Sequence, residues 1–217
     1  MSAITFRPCT PADADAAIPL IYSSGPAAFD YAFCDRHQQE AKAFLHRAFV
    51  RGVSEFGYRQ HIAAILDDRL VGIGAVRFAE QNLPFTFAAL RDIVTFYSPL
   101  AAARTVIRGL KTEQVIHPPR RGVGIVYHLG VAPECRSRGI GRQLVAYLIQ
   151  EMRKRKLPTA ALDVAATNPR ALALYGDLGF TPCKTRVGNL CSTFGRVVDH
   201  TYMEYALDYS EQAATES

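Results

Sequence analysis

Val126-Tyr-His-Leu-Gly-Val-Ala-Pro-Glu-Cys-Arg-Ser-Arg-Gly-Ile-Gly-Arg-Gln-Leu-Val-Ala146 is the stretch whose reading decides the fold. Val126 to Ala132 is apolar, β-branched and aromatic, the composition of a buried strand. Pro133 to Arg138 is a polar turn. From Gly139 onward Ile140, Leu144, Val145, Leu148, Ile149 and Met152 recur at helical spacing, with Arg142, Gln143, Gln150 and Glu151 opposite. A strand therefore feeds a helix through Arg136-Ser137-Arg138-Gly139-Ile140-Gly141. Glycines at a helix start let backbone approach a ligand, and the first-turn N–H groups point outward. The helix dipole makes this an anion site. A dinucleotide-binding reading fails, because Leu144 stands where a third glycine or alanine belongs.

Downstream, Leu162-Asp-Val164 reads as the next strand. Asn168-Pro-Arg-Ala-Leu-Ala-Leu-Tyr175-Gly-Asp-Leu-Gly179-Phe180 follows. In order and separation the two segments resemble the acyl-coenzyme A motif and the N-x-x-A-x-x-L-Y-x-x-x-G-F helix of the GNAT-superfamily N-acetyltransferases. The resemblance implies an α/β fold, with a central mixed, mostly antiparallel sheet flanked by helices. It implies acetyl-coenzyme A as cofactor. Its pyrophosphate would lie against Arg136, Ser137, Arg138, Gly139, Ile140, Gly141 and Arg142. The backbone of Leu129, Gly130 and Val131 would lie beside the pantetheine arm, with Asn168 as a further contact. Tyr175 would assist thiol departure: a phenol of pKa near 10 can protonate or hydrogen-bond a thiolate at neutral pH.

Working outward, the chain has 217 residues, 49% of them apolar, in keeping with one domain over residues 1–209 and a polar tail over 210–217. No apolar run is long enough to cross a bilayer, and Met1 to Thr10 is not a signal peptide. The five cysteines, at 9, 34, 135, 183 and 191, form no C-x-x-C pair and read as reduced thiols of a cytoplasmic protein. The net charge of +5 raises a nucleic-acid partner, but the basic residues form no stripe with interleaved aromatics, so none is expected. No His/Cys/Asp/Glu cluster has metal-ligand spacing.

Thr10-Pro-Ala-Asp13 opens a first helix, with Pro19 inside it, and Ala27 to Phe33 can line a cleft. A helix is expected over 36–50, followed by strands 61–66 and 70–76 around an Asp67-Asp-Arg69 hairpin. Residues 81–120 form an insertion between the third and fourth strands. Two helices are expected there, with Phe87, Leu90, Val94 and Tyr97, then Leu100, Ala103, Ile107 and Leu110, recurring at helical spacing. The insertion caps an acceptor pocket or makes a homodimer contact.

The expected reaction is acetyl transfer to a primary amine by direct attack in a ternary complex. The acceptor is a small molecule or a protein amine. His128 is the candidate base, with His117, Glu113 and Asp163 behind it. Strand alternation puts Tyr127 and His128 on opposite faces. A regulatory coenzyme A-binding module without catalysis is the alternative.

Overall fold

The computed structural model describes residues 3–207, so the polar tail lies outside the described residues. In chain order the strands are β1 (Thr5–Pro8), β2 (His61–Leu66), β3 (Arg69–Arg77), β4 (Val123–Val131), β5 (Thr159–Ala165), β6 (Thr181–Arg186), β7 (Leu190–Cys191), β8 (Arg196–Val197) and β9 (His200–Ala206). The helices are α1 (Ala14–Ser23), α2 (Pro26–Phe33), α3 (Glu40–Arg51), α4 (Asn82–Phe96), α5 (Pro99–Thr112), α6 (Ile140–Lys154) and α7 (Pro169–Asp177). Seven strands form one sheet in the order β1-β2-β3-β4-β5-β9-β6. Every pairing in it is antiparallel except that of β4 with β5. The segment between β6 and β9 carries the short β7–β8 hairpin, closed by Ser192 Oγ accepting from the Phe194 and Gly195 N–H groups.

The apolar spacing of α6 is its packing. Ile140, Leu144, Val145, Leu148, Ile149 and Met152 are all buried. Most of them join Val126, Leu162, Val164 and Met203 on one sheet face. α1, α2 and α3 cover the other face through Ala17, Ile21, Phe33, Phe44 and Leu45 against Ile73. α3 begins at Glu40 rather than 36, because the buried Glu40 carboxylate accepts from the Asp35 and Arg36 N–H groups and holds the preceding turn open.

Two features of β4 position the site. Its parallel pairing with β5 runs from Val123↔Thr159 to Val126↔Leu162 and then stops, so the strands splay from Tyr127 onward. On its other edge Tyr127 pairs with Ala75 and Gly130 with Ile73, leaving His128 and Leu129 opposite Gly74 alone. This bulge puts His128 at φ +53°, a left-handed conformation uncommon for any residue but glycine. Gly74 is bare for the same reason: a Cβ there would meet Leu129 and Leu148 at 3.0 Å.

The helices between β3 and β4 are present, with their apolar stripes turned largely outward. Phe85, Asp92, Ile93 and Tyr97 are buried on or just after α4, and Ala101, Ala102 and Thr105 on α5. Phe87 is 69% exposed, Val94 54%, Leu100 67% and Ile107 53%. Polar anchors choose the inner face. Asp35 holds Arg104 at 2.6 Å and Arg108 at 3.4 Å, Arg51 meets Asp92 at 3.1 Å, and the Tyr97 hydroxyl donates to the Phe33 carbonyl.

Gly130 carries no irregularity of its own; the absence of a side chain admits α1. A Cβ at 130 would sit 2.3 Å from the Leu20 carbonyl oxygen, a main-chain atom that cannot rotate away. Gly130→Ala is therefore expected to lower stability by about 1–3 kcal/mol, read as a reduced denaturation midpoint. An unchanged midpoint would show that α1 shifts without cost.

Candidate active site

The splay opens a cavity of about 890 Å³ that passes from the first turn of α6, between β4 and β5, to the space under α4 and α5. Nearly all of the residues singled out from sequence lie on its wall: His128, Leu129, Gly130, Val131, Arg136, Ser137, Gly139, Ile140, Gly141, Arg142, Asn168 and Tyr175. Arg138 does not; it borders a small separate hollow with Arg69 and Glu134. Among the described residues no three-member His/Cys/Asp/Glu group could hold a metal, and no helix is long and apolar enough to cross a membrane.

At the α6 end the sequence forces an unusual main chain. Ser137 at φ +64° and Gly139 at φ +77° turn the backbone so that α6 starts with its amides facing out. The Gln143 N–H is the first to bond back, to the Gly139 carbonyl. Those of Ser137 to Arg142 have no protein partner among the described residues. An oxyanion of a diphosphate fits such a cradle by hydrogen bonding and by the helix dipole. A Cβ at Gly141 would meet Leu174 at 3.6 Å and Val131 at 3.7 Å, so the glycine leaves room for a ligand that a larger side chain would take. The arginines are arranged around this turn: Arg136 Nε donates to the Val131 carbonyl at 3.1 Å, Arg170 reaches Ser137 Oγ at 2.5 Å, and Arg142 lies 3.4 Å from Asp177. Arg120 is drawn elsewhere, to Glu204 at 2.8 Å.

Across the cavity stands α7. Asn168 caps it by accepting from the Ala171 N–H at 3.1 Å, with Pro169 in the first turn. Ala171, Leu174 and Leu178 pack on the sheet, and the buried Tyr175 ring meets Phe180 edge-on at 6.0 Å. The Tyr175 hydroxyl makes no hydrogen bond to another described residue, and Tyr175 is on the cavity wall. Burial pushes its pKa up to about 12, so it is a phenol at neutral pH.

The bulge corrects the expectation from strand alternation. Tyr127 and His128 do not take opposite faces; both rings pack on His61, with centroids at 6.0 and 5.4 Å. His61 Nδ1 lies 2.8 Å from the Gly57 carbonyl oxygen, which can only accept, so Nδ1 carries the proton. Burial lowers the His61 pKa to about 4, leaving the ring neutral and its Nε2 a bare acceptor. That Nε2 faces His128 Nδ1 at 3.1 Å, so His128 must donate from Nδ1. His128 Nε2 is then the atom with a free lone pair, and the ring stands on the cavity wall. Burial first, then the neighbouring His61 and Arg77, lowers the His128 pKa well below its ordinary value.

The other candidate bases are placed less aptly. Asp163 is on the wall but paired with Arg186 at 2.9 Å; burial raises its pKa to about 6. His117 is exposed and meets the Gln114 carbonyl, and Glu113 is exposed beside it. Sequence reasoning missed Glu55. It sits in a loop closed by Gly52 and Gly57, whose main chains touch: a Cβ on Gly57 would lie 2.4 Å from the Gly52 carbonyl carbon. The Glu55 carboxylate accepts from Arg77, and Arg77 Nε donates to Asn82 at 3.1 Å at the start of α4. Burial raises the Glu55 pKa, and Arg77 opposes the shift. The legible signal was an acid in a glycine-bracketed loop.

Residues 26–180 match the family model described as "Acetyltransferase (GNAT) family". A 71-residue stretch, 33% of the chain, is 38% identical to the ribosomal protein bS18-alanine N-acetyltransferase of Escherichia coli strain K12 and covers 48% of it. The chain spans less than half the length of the curated relatives it matches, from 18% to 48%. The fold is similar to that of an N-acetyltransferase from Staphylococcus aureus Mu50, with a TM-score of 0.68, 14% identity, and 93% and 100% of the two chains covered. It is also similar to Salmonella typhimurium yncA, solved with its cofactor acetyl-CoA, with a TM-score of 0.53, 17% identity and 95% of each chain covered.

Gly141→Val fills the space beside the amide cradle, and its Cβ meets only the ends of the Leu174 and Val131 side chains. The variant is expected to fold, with coenzyme A affinity at least tenfold weaker by calorimetry. Unchanged affinity in the folded variant would remove the turn from the site.

Proposed function

Because this chain belongs to the acetyltransferase (GNAT) family, whose cofactor is acetyl-coenzyme A, we propose that it transfers an acetyl group from acetyl-coenzyme A to a primary amine. The observation that carries this reading is the shared cavity. An anion cradle, a phenol and a histidine lone pair open into one space. The acceptor enters from the α4–α5 side and the cofactor from the α6 side, which supports direct attack in a ternary complex.

The acetyl thioester supplies the electrophile. The residues of this chain do the rest. The N–H groups of Ser137 to Arg142 hold the diphosphate, and Arg136, Arg142 and Arg170 add positive potential. The β4 backbone from Leu129 to Val131, freed from β5, lies along the cofactor arm and orients the thioester. His128 Nε2 takes a proton from the bound ammonium, freeing the nitrogen lone pair that attacks the thioester carbonyl, while the Nδ1–H stays bonded to His61. Tyr175 gives its hydroxyl proton, or a hydrogen bond, to the departing thiolate. A coenzyme A-binding module without catalysis would need neither group open to the cavity.

Tyr175→Phe keeps the ring packing and removes only the hydroxyl. Positioned acid catalysis is worth about 10²–10⁴-fold, so kcat is expected to fall by that much with coenzyme A affinity within a few-fold of wild type. A kcat within about threefold of wild type, with chemistry rate-limiting, would leave Tyr175 a packing residue.

A base works only when unprotonated. With its pKa held below 6.5, His128 is competent throughout the neutral range, and kcat/KM per free amine falls only below that value. Asp163 as the base would place the limb near 6. In His128→Gln the limb is expected to disappear along with most of the rate. A limb kept at the same pH would place the base elsewhere.

A further inference from the structure

Beyond the splay the cavity changes character. Its walls there come from α2, α4 and α5, and Phe29, Phe85, Ala89, Ile93, Val106 and Ile116 face the space. Leu90 and Leu110 are on the wall yet 42% and 58% exposed, so they stand at the rim. The charged groups are few. Glu55 is paired with Arg77, and the exposed Glu113 and His117 stand toward the open side. The main-chain groups that α2, α4 and α5 contribute to these walls are bonded within the helices, while Glu55 and Ile116 lie in connecting segments.

We propose that the acceptor is a monoamine carried on an apolar body, an alkylamine or arylalkylamine, seated in this chamber with its amine toward His128. The inference rests on the acetyltransfer reading above and adds the substrate class. Among the described residues the chamber offers at most one carboxylate without an ion pair, Glu113, at its exposed side, so it has no set of counter-charges for a polycation. A polyamine or an aminosugar would bring further cations to an apolar wall, where each unpaired charge is costly. A peptide amine would bring backbone N–H and C=O groups against the apolar faces of α2, α4 and α5, whose own main-chain groups are already bonded within the helices. Burial of an alkyl body against Phe85, Ile93 and Val106 is the interaction that the chamber supplies.

The apolar stripe of α4 explains the rim. Leu83, Phe87, Leu90 and Val94 recur along one side of the helix, and Leu83, Phe87 and Val94 are more than half exposed. Leu90 brings that stripe to the cavity mouth, so an apolar body longer than the chamber stays in contact with hydrocarbon outside it.

The test is a homologous series of primary n-alkylamines, with 2-phenylethylamine, spermidine, kanamycin and a hexapeptide bearing a free N-terminal alanine. Thiol release from acetyl-coenzyme A is followed with the full-length protein. Each methylene buried contributes about fourfold, so kcat/KM should climb by two- to fourfold per carbon before levelling off. The arylalkylamine should exceed spermidine, kanamycin and the peptide by at least tenfold. Leu90→Glu and Leu110→Glu replace exposed side chains and are expected to fold. They should flatten the chain-length dependence while coenzyme A affinity stays unchanged by calorimetry. A flat series, or equal or better turnover of spermidine, kanamycin or the peptide, overturns the apolar class and leaves acetyl transfer standing. Unaltered chain-length dependence in both variants removes the chamber from acceptor binding. No thiol release with any amine, despite coenzyme A binding, overturns the acetyltransfer reading and this one with it.

Discussion

Parallel pairing between β4 and β5 ends at Val126 and Leu162, and the site depends on that loss of hydrogen bonds. A buried strand edge without partners is costly, so the gap persists only if something fills it or holds it apart. The sheet holds it apart from both sides. β3 keeps β4 in register across a bulge, and β9 pairs with β5 as far as Ala165↔His200. The main-chain groups released on the facing edges are then available to an amide-rich ligand. α6 leaves the end of β4 through a left-handed turn and brings its free amides to the same opening. The anion cradle and the strand gap are thus consequences of one chain path.

The electrostatics of the two ends differ in kind. At α6 the positive potential comes from backbone and from arginines at the surface, where water and ions screen the side chains but the amides keep their direction. At the far end one ion pair sits partly buried. Arg77 joins the Glu55 carboxylate to Asn82, and Asn82 donates to the Pro119 carbonyl at 2.9 Å. These contacts tie the loop after α3, the end of β3, the start of α4 and the approach to β4 into one polar chain. The chamber walls are therefore set by a network that spans 64 residues of sequence, from Glu55 to Pro119.

What could be read from sequence was local. The strand–turn–helix of β4 and α6 was legible, because alternation, a polar turn and helical spacing all occur within some thirty residues and the glycine turn makes its own structure. The α7 motif was legible for the same reason, with Asn168 and Pro169 as a start signal. The helix pair between β3 and β4 was legible in kind but not in orientation. Apolar spacing marks a stripe; it does not say which stripe is turned inward. The inner faces are decided by Asp35, Arg51 and Phe33, residues that lie 41 to 73 positions from their partners. Glu55 was invisible for a related reason, since its role depends on Arg77, 22 residues away. The reversal of His128 was beyond any period-two reading, because one positive φ shifts a side chain across the sheet without altering the pattern of residue types.

That positive φ has a physical rationale. A non-glycine residue held there costs on the order of 1–3 kcal/mol, and asparagine or glycine would cost less. Histidine is kept by what its ring meets: Phe56 stacked at 5.6 Å, Phe29 at 5.4 Å, and His61 at 5.4 Å with planes 3° apart. The hydrogen-bond order along the pair has only one arrangement. Reversing it would point two lone pairs at each other between His61 Nδ1 and the Gly57 carbonyl. In the allowed order a proton arriving at His128 Nε2 leaves the Nδ1–H bond to His61 intact and charge-assisted, and therefore stronger. The charge still sits among aromatic rings, so the protonated form is disfavoured at neutral pH. Such a pair can accept a proton in passing and cannot store it, which suits a group that must be neutral again before the next amine arrives.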